Sequence, residues 1–227
     1  MGSPLIVALD LDQKSALELA NKIDPLDCKV KVGSELFTAG GPKVIKELKN
    51  LGFEIFLDLK FHDIPNTVKR AVESAIEMGV WMLNVHSLGG KEMLKAAYEA
   101  KETASIKPIL IGVTMLTSLD SKAIKQVGIE LNIEDQVLVL ADLCKEEGLD
   151  GVVCSPNELT QLRTHLGEKF LLVTPGIRSQ KVEKHDQRRT STVGEAIEKG
   201  ADYVVIGREI TTDSDPNKKI KKILEAV

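Results

Sequence analysis

The sequence contains few cysteines and no arrangement of them that would suggest a metal site. It has three, Cys28, Cys144 and Cys154, among 227 residues. They are far apart and form neither a Cys-x-x-Cys pair nor a Cys/His ligand spacing, which argues against a disulfide framework and against a structural zinc site. Each lies in an apolar run or on an apolar helical stripe, so we expect all of them to be core residues.

Long hydrophobic runs and an excess of one charge are also missing. No apolar stretch approaches the roughly 20 residues that a membrane-spanning helix needs, and no basic segment followed by a long apolar one precedes the strand-like run at residues 4–9. The formal net charge is only -4, with both signs interspersed, which is not typical of a broad nucleic-acid-binding face. We therefore expect a cytoplasmic protein with neither a membrane nor a nucleic-acid partner.

The sequence alternates short β-rich runs with longer amphipathic stretches. In the latter, apolar residues recur at intervals of three and four, as in helices. Alternation of this kind predicts parallel strands with helical crossovers, and eight units in this length predict a closed (β/α)8 TIM barrel. A doubly wound open sheet is the alternative, but it usually has a Gly-rich turn after the first strand, where this chain has the run DLDQ from Asp10. Because no linker or composition break is visible, residues 1–227 are predicted to form one catalytic domain. The β-rich runs start at Leu5, Cys28, Glu54, Trp81, Pro108, Gly151, Phe170 and Tyr203.

Charged residues stand at the ends of the first three predicted strands. Asp10, Lys31, Asp58 and Lys60 occupy these ends, and Asp63 follows shortly after. Strand carboxyl ends form the ligand-binding mouth of such a barrel, and Asp58 and Lys60 should share a face because they are two residues apart. Buried charges cost several kcal/mol unless they pair. Ordinary ion pairs at the mouth are one interpretation, but the convergence of so many charges favours a functional site.

The run FLDLKFHDIPNTV, from Phe56 to Val68, resembles the signature of the orotidine 5'-phosphate decarboxylase family, whose core is Asp-x-Lys-x-x-Asp-Ile-Pro-x-Thr. The resemblance extends over essentially the whole chain. It implies a barrel enzyme that converts orotidine 5'-phosphate to uridine 5'-phosphate in de novo pyrimidine biosynthesis, with no cofactor and no metal. The other matching runs, in order, are ALD, KVG, NVHSLGG, VTMLTS, TPGIR, DQRR and VIGRE.

The resemblance implies a role for each charged residue of the motif. Lys60 matches the proton donor to C6 of the pyrimidine, and Asp58 matches the carboxylate that stands against the carboxylate of the substrate. Lys31 and Asp63 complete a Lys-Asp-Lys-Asp network. In the family Asp63 would reach in from the partner subunit of a homodimer.

The resemblance also implies how the nucleoside is bound. Asp10, together with Lys31, matches the residues that bind the ribose hydroxyls, and Thr67 matches a further ribose contact supplied by the partner. Thr117 matches a contact to the pyrimidine.

The residues that would bind the phosphate of the substrate are predicted in the last third of the chain. By resemblance, Pro175 and Arg178 belong to a flap, Gln187 bridges pyrimidine and phosphate, and Gly207 with Arg208 forms the phosphate site. Barrels commonly bind phosphate with the loops after strands seven and eight, which is where these residues fall. The non-periodic stretch at about residues 178–191 is predicted to be the lid.

Two alternatives remain open on the residues alone. Magnesium-dependent sugar-phosphate decarboxylases or aldolases share the scaffold, but they carry an acidic residue where this chain has Lys31, which would repel a metal ion. A nonenzymatic phosphate- or nucleotide-binding barrel would be expected to have lost Lys60 or a flanking carboxylate.

Three further polar residues have no assigned catalytic role. For Lys29 we predict only that its side chain reaches the rim of the barrel opposite to the one where Lys31 lies. His86 is predicted to be structural, with a possible hydrogen bond to the charged network, and His62 to face solvent.

Overall fold

Eight parallel strands close into a barrel in the computed structural model, which describes residues 2–178 and 191–225. Each barrel strand pairs with the barrel strands before and after it in the chain, and the first pairs with the last, for example Ile6 with Val205. The predicted barrel is therefore confirmed. A pair of two-residue strands, which the sequence did not predict, lies outside it. The strands are β1 (Leu5–Ala8), β2 (Lys29–Gly33), β3 (Ile55–Phe61), β4 (Met82–His86), β5 (Ile109–Val113), β6 (Gly151–Val153), β7 (Leu171–Pro175), β8 (Ile177–Arg178), β9 (Ser191–Thr192) and β10 (Tyr203–Ile206), of which β8 and β9 form the outer pair.

Helices connect the strands, because parallel neighbours need crossover connections. The amphipathic stretches of the sequence form these helices, and Pro216 stands at the start of the last one, where its missing N–H is not needed. No helix within the described ranges is long and apolar enough to cross a membrane. The helices are α1 (Gln13–Ala20), α2 (Ser34–Asn50), α3 (Pro65–Glu77), α4 (Lys91–Glu102), α5 (Ser121–Gln126), α6 (Ile133–Glu146), α7 (Leu159–Leu166), α8 (Val193–Glu198), α9 (Arg208–Thr211) and α10 (Pro216–Leu224).

Two apolar layers stabilise this architecture. The larger lies between the strands and the helices, and it includes the buried cysteines, all of which are free thiols as predicted. The smaller fills the barrel interior, since alternate residues of each strand point inward. Phe56 lies in this inner layer and also lines the cavity at the charged mouth. The inner layer consists of Ile6, Ala8, Phe56, Met82, Ile111, Val173 and Val205.

Lys29 closes the amino-terminal end of the barrel. Its side chain is buried, and its Nζ donates to the carbonyl of Ser3 at 3.0 Å and lies 3.3 Å from the carboxylate of Glu54. The ammonium also lies 5.0 Å from the ring centroid of Trp81 and 5.5 Å from that of Tyr203, a favourable cation–π arrangement. The prediction that Lys29 reaches the rim opposite to Lys31 is confirmed.

Candidate active site

A cavity of about 750 Å³ opens at the carboxyl ends of the strands. This volume suits a small-molecule ligand. Most of the residues that the sequence analysis predicted for the site line this one cavity, although they come from six barrel strands and the outer strand β8, or from the loops that follow them. They are Asp10, Lys31, Asp58, Lys60, Thr117, Pro175, Arg178, Gly207 and Arg208.

Four of these residues form a continuous line of alternating charge. Lys31 Nζ lies 3.0 Å from Asp10 Oδ1 and 3.1 Å from Asp58 Oδ2. The other oxygen of Asp58, Oδ1, lies 2.7 Å from Lys60 Nζ. Asp10 is half exposed, whereas the side chain of Asp58 is only 12% accessible. Of the predicted Lys-Asp-Lys-Asp network, Lys31, Asp58 and Lys60 are therefore joined within a single chain, and Asp10 is joined to its Lys31 end.

Pairing keeps the buried members of this line charged. Burial alone would raise the pKa of Asp58, but the ammonium groups of Lys31 and Lys60 and two hydrogen bonds outweigh it and lower that pKa below its usual value. Burial would likewise lower the pKa of Lys31, but the carboxylates of Asp58 and Asp10 raise it above the usual value of a lysine. At neutral pH Lys31 and Asp58 therefore carry fixed opposite charges in the cavity.

The strand that carries Asp58 and Lys60 is irregular at this point. Its pairing with β4 runs from Leu57 opposite Leu83 to Phe61 opposite Val85, so β3 advances four residues while β4 advances two. Lys60 has a φ of 50°, the only positive φ of a non-glycine residue in the described part of the chain. The sequence predicted a shared face from simple alternation. The two side chains do share the cavity, but a bulge in the strand brings them together.

Asn84 is a site residue to which the sequence analysis assigned no role. It is fully buried in the middle of β4. Its Nδ2 donates to Asp58 Oδ1 at 2.7 Å, and its Oδ1 accepts the backbone N–H of Lys60 at 2.8 Å. A signal was present, because an amide in the apolar strand MLNVH must find buried partners. The sequence could not show which ones.

Asp63 and Thr67 are exposed at the start of α3, and neither lines the cavity of its own chain. Asp63 Oδ1 accepts the N–H of Ile64 at 2.6 Å. Among the described residues no cation lies within ion-pair distance of Asp63. A place for these two residues in the site of a partner subunit therefore stays a prediction.

The phosphate and flap residues are only partly described. Pro175 and Arg178 lie along the cavity at the end of β7 and in β8. Gln187 and most of the predicted lid lie outside the described residues. Gly207 follows β10, and a Cβ added to it would meet only Ala8, with the Cβ at 3.5 Å and the carbonyl oxygen at 3.9 Å. The chain therefore leaves open space at Gly207, next to the exposed side chain of Arg208.

The two histidines near the mouth lie beside the charged line without a described bond to it. His86 Nδ1 accepts the N–H of Leu88 at 3.4 Å, and its ring stacks on that of His62. Of the roles expected for His86, the structural one is supported. His62 is exposed, as predicted, but it also covers one face of His86.

Comparison with known proteins identifies relatives of this chain that match it over nearly its whole length. The model of the orotidine 5'-phosphate decarboxylase / HUMPS family matches residues 3–223. An orotidine 5'-phosphate decarboxylase of Nitrosococcus oceani is 52% identical over 97% of this chain and 96% of its own length. That of Saccharophagus degradans is 49% identical over 96% and 92%. The crystal structure of the Lactobacillus acidophilus enzyme superposes with a TM-score of 0.89 at 39% identity, covering 99% of this chain and 98% of that one. The chain therefore belongs to the orotidine 5'-phosphate decarboxylase / HUMPS family.

Proposed function

We propose that this chain is a decarboxylase that converts orotidine 5'-phosphate to uridine 5'-phosphate. One observation carries the proposal. The alternating line from Asp10 through Lys31 and Asp58 to Lys60 lies in a cavity that also holds Arg208. The names of the relatives, which are about half identical over nearly their whole length, support it further. The reaction is a step of de novo pyrimidine biosynthesis.

The substrate would lie across the mouth of the barrel. Its phosphate would bind at Gly207 and Arg208, because backbone N–H groups can approach an anion closely at a glycine and a guanidinium offers two parallel donors. Asp10 and Lys31 would bind the ribose hydroxyls, and Thr117 would contact the pyrimidine. Pro175, Arg178 and Gln187 would close over the substrate, so that binding energy from the phosphate helps to assemble the site and to expel water.

The chemistry requires a positive charge at one carbon atom. When the C6–carboxylate bond breaks, carbon dioxide leaves and the electron pair stays on C6, where it is barely delocalised. The ammonium of Lys60, held 2.7 Å from Asp58, provides a preorganised charge for this lone pair in a water-poor site. Lys60 then transfers a proton from Nζ to C6 and regains one from solvent. Repulsion between Asp58 and the substrate carboxylate would raise the energy of the ground state.

We also propose that the active unit is a homodimer in which Asp63 and Thr67 complete the partner's site. Both stand beside Ile64, an apolar side chain that is 67% exposed in the single chain. A partner subunit that covered Ile64 would remove this apolar side chain from water. Asp63 would extend the alternating charges of the partner's site by one member.

A metal-dependent sugar-phosphate enzyme is the alternative within the same family. Its cation would need the carboxylates at the mouth. Here Lys31 Nζ lies 3.0 Å from Asp10 and 3.1 Å from Asp58, so a lysine ammonium already stands where these two carboxylates could share a cation. This arrangement favours the pyrimidine substrate. A barrel that binds nucleotides without catalysis would have no need for Lys60 beside Asp58.

One assay tests the proposal against both alternatives. The purified protein is incubated with orotidine 5'-phosphate and excess chelator, without added cofactor, and the loss of orotate absorbance is followed. We expect turnover at the same rate with and without chelator. Turnover abolished by the chelator would indicate the metal-dependent class, and product binding without turnover would indicate a nonenzymatic barrel.

A further inference from the structure

We propose that Asn84 is a positioning residue for the decarboxylation, because its one side-chain amide holds both the carboxylate of Asp58 and the backbone of Lys60. The inference rests on the proposed function. Asn84 does not line the cavity, so it would act through the two residues that do. It is fully buried, and both of its contacts, at 2.7 and 2.8 Å, are short.

The side-chain amide of Asn84 provides a hydrogen-bond acceptor that the irregular pairing of β3 with β4 does not provide. Because β3 bulges between Leu57 and Phe61, the backbone N–H of Lys60 has no position in the regular ladder with β4. A buried N–H without an acceptor is unfavourable. Asn84 Oδ1 accepts this N–H, so a side-chain carbonyl replaces the missing backbone carbonyl and holds Lys60 in its left-handed conformation, at a φ of 50°.

The same amide can take only one orientation. Its NH2 group donates to Asp58 Oδ1 and its oxygen accepts from Lys60. If the amide were flipped, two acceptors would face each other at Asp58 and two donors at the Lys60 backbone. The network therefore fixes Asn84, and Asn84 in turn fixes the relative positions of the carboxylate and the lysine backbone.

This geometry determines where the ammonium lies. Asp58 Oδ1 accepts from both Lys60 Nζ and Asn84, while Oδ2 faces Lys31. The carboxylate is therefore held on both of its oxygens, and Lys60 is held at its backbone and at its side-chain end. Preorganisation of this kind contributes to the chemical step rather than to binding of the phosphate or ribose.

The first experiment compares Asn84→Ala with the matched control Ser87→Ala. Ser87 is also fully buried just after β4, and its Oγ lies 3.0 Å from Cys144 Sγ, away from the cavity. We expect Asn84→Ala to lower kcat at least 30-fold and to change the Kd of uridine 5'-phosphate by less than threefold. Ser87→Ala should keep both values within about threefold of the parent. A kcat within threefold of the parent in folded Asn84→Ala would overturn the proposal, as would a rise in Kd equal to the fall in kcat.

A second variant, Asn84→Asp, keeps the shape and adds a titratable group. The titratable groups around this position are Asp58 and Lys60 from β3, which Asn84 contacts, Lys31 from β2, which contacts Asp58, and the neutral His86 on β4 itself. Next to Asp58, the new carboxyl should have a raised pKa. When neutral, it can donate its O–H to Asp58 and accept from the Lys60 N–H, as the amide does. When ionised, it repels Asp58.

We therefore expect the activity of Asn84→Asp, relative to the parent at the same pH, to rise at least tenfold between pH 8.5 and pH 5.5. A role in packing alone would give no such recovery, so a flat ratio overturns the inference even if Asn84→Ala does not fold. The parent assay separates this result from the proposed function, because turnover by the parent tests that function without any variant.

Discussion

The imidazole of His86 is stacked on that of His62, with ring centroids 5.3 Å apart and ring planes inclined by 24°. Burial, together with the nearby His62 and Lys60, lowers the pKa of His86 to about 4. His86 is therefore neutral at physiological pH. A neutral ring beside Lys60 does not compete with it for the carboxylate of Asp58.

This low pKa makes the stability of the protein depend on pH. In the unfolded chain His86 would titrate near pH 6.5, so between that pH and about pH 4 the unfolded state binds more protons than the folded state. The free energy of unfolding should be highest above pH 6.5 and should decline as the pH falls. We expect His86→Phe to reduce the loss between pH 7 and pH 5 by about 1–2 kcal/mol, measured by urea denaturation.

The exposed His165, which is paired with Asp142 on the outside of the barrel, provides the control. His165→Phe should leave most of the pH dependence unchanged. An unaltered slope in His86→Phe would show that another group causes it.

Replacing Lys60 should abolish turnover without changing the stability of the fold. Lys60→Ala removes the charge that C6 requires, while Asp58 keeps its contact with Lys31 at 3.1 Å. We expect turnover to fall by more than about 1,000-fold, as when a catalytic group is removed. Thermal unfolding and phosphate binding should stay close to those of the parent. Lys107→Ala, which breaks a 2.6 Å pair with Glu102 outside the site, should keep full activity. Near-normal kcat in Lys60→Ala would show that Lys60 is not the proton donor.

Shared sites can be tested by complementation. Asp63→Ala and Lys60→Ala should each be nearly inactive. In a mixed dimer, however, one of the two sites would receive both an intact Lys60 and an intact Asp63. We expect up to about one quarter of parental activity after denaturation and refolding of an equimolar mixture, since half of randomly assembled dimers are hybrids with one good site. Hybrid dimers shown by mass spectrometry to form without any activity would mean that each chain builds its own site.

Adding one methyl group at Gly207 should weaken binding at the proposed phosphate site. Gly207→Ala meets only Ala8, at an ordinary contact distance of 3.5 Å, so the Tm should hardly change. The methyl would occupy space that the phosphate needs, and we expect KM to rise at least tenfold, equivalent to about 1.4 kcal/mol. Gly2→Ala is the control, because its added Cβ would likewise have its nearest contact at 3.5 Å, with Lys29 Nζ at the opposite end of the barrel. An unchanged KM would place the phosphate elsewhere.

Local pattern was enough to predict the barrel and most of its mouth. The periodicity of each run depends on near neighbours, so the eight strands and their order could be predicted from it. Because strand ends meet at one rim, the sequence alone predicts that Asp10, Lys31 and Asp58 lie together. Their pairing at 3.0 and 3.1 Å confirms that placement.

The sequence by itself determined which charges occupy the mouth and that they alternate in sign. Only the tertiary structure decided how they are held. The bulge of β3, the left-handed backbone of Lys60 and the amide of Asn84 beneath it arise from pairing between strands that lie more than 20 residues apart in the chain. Hydrogen bonds of this range have no local signature, because their partners depend on strand register rather than on neighbouring residues.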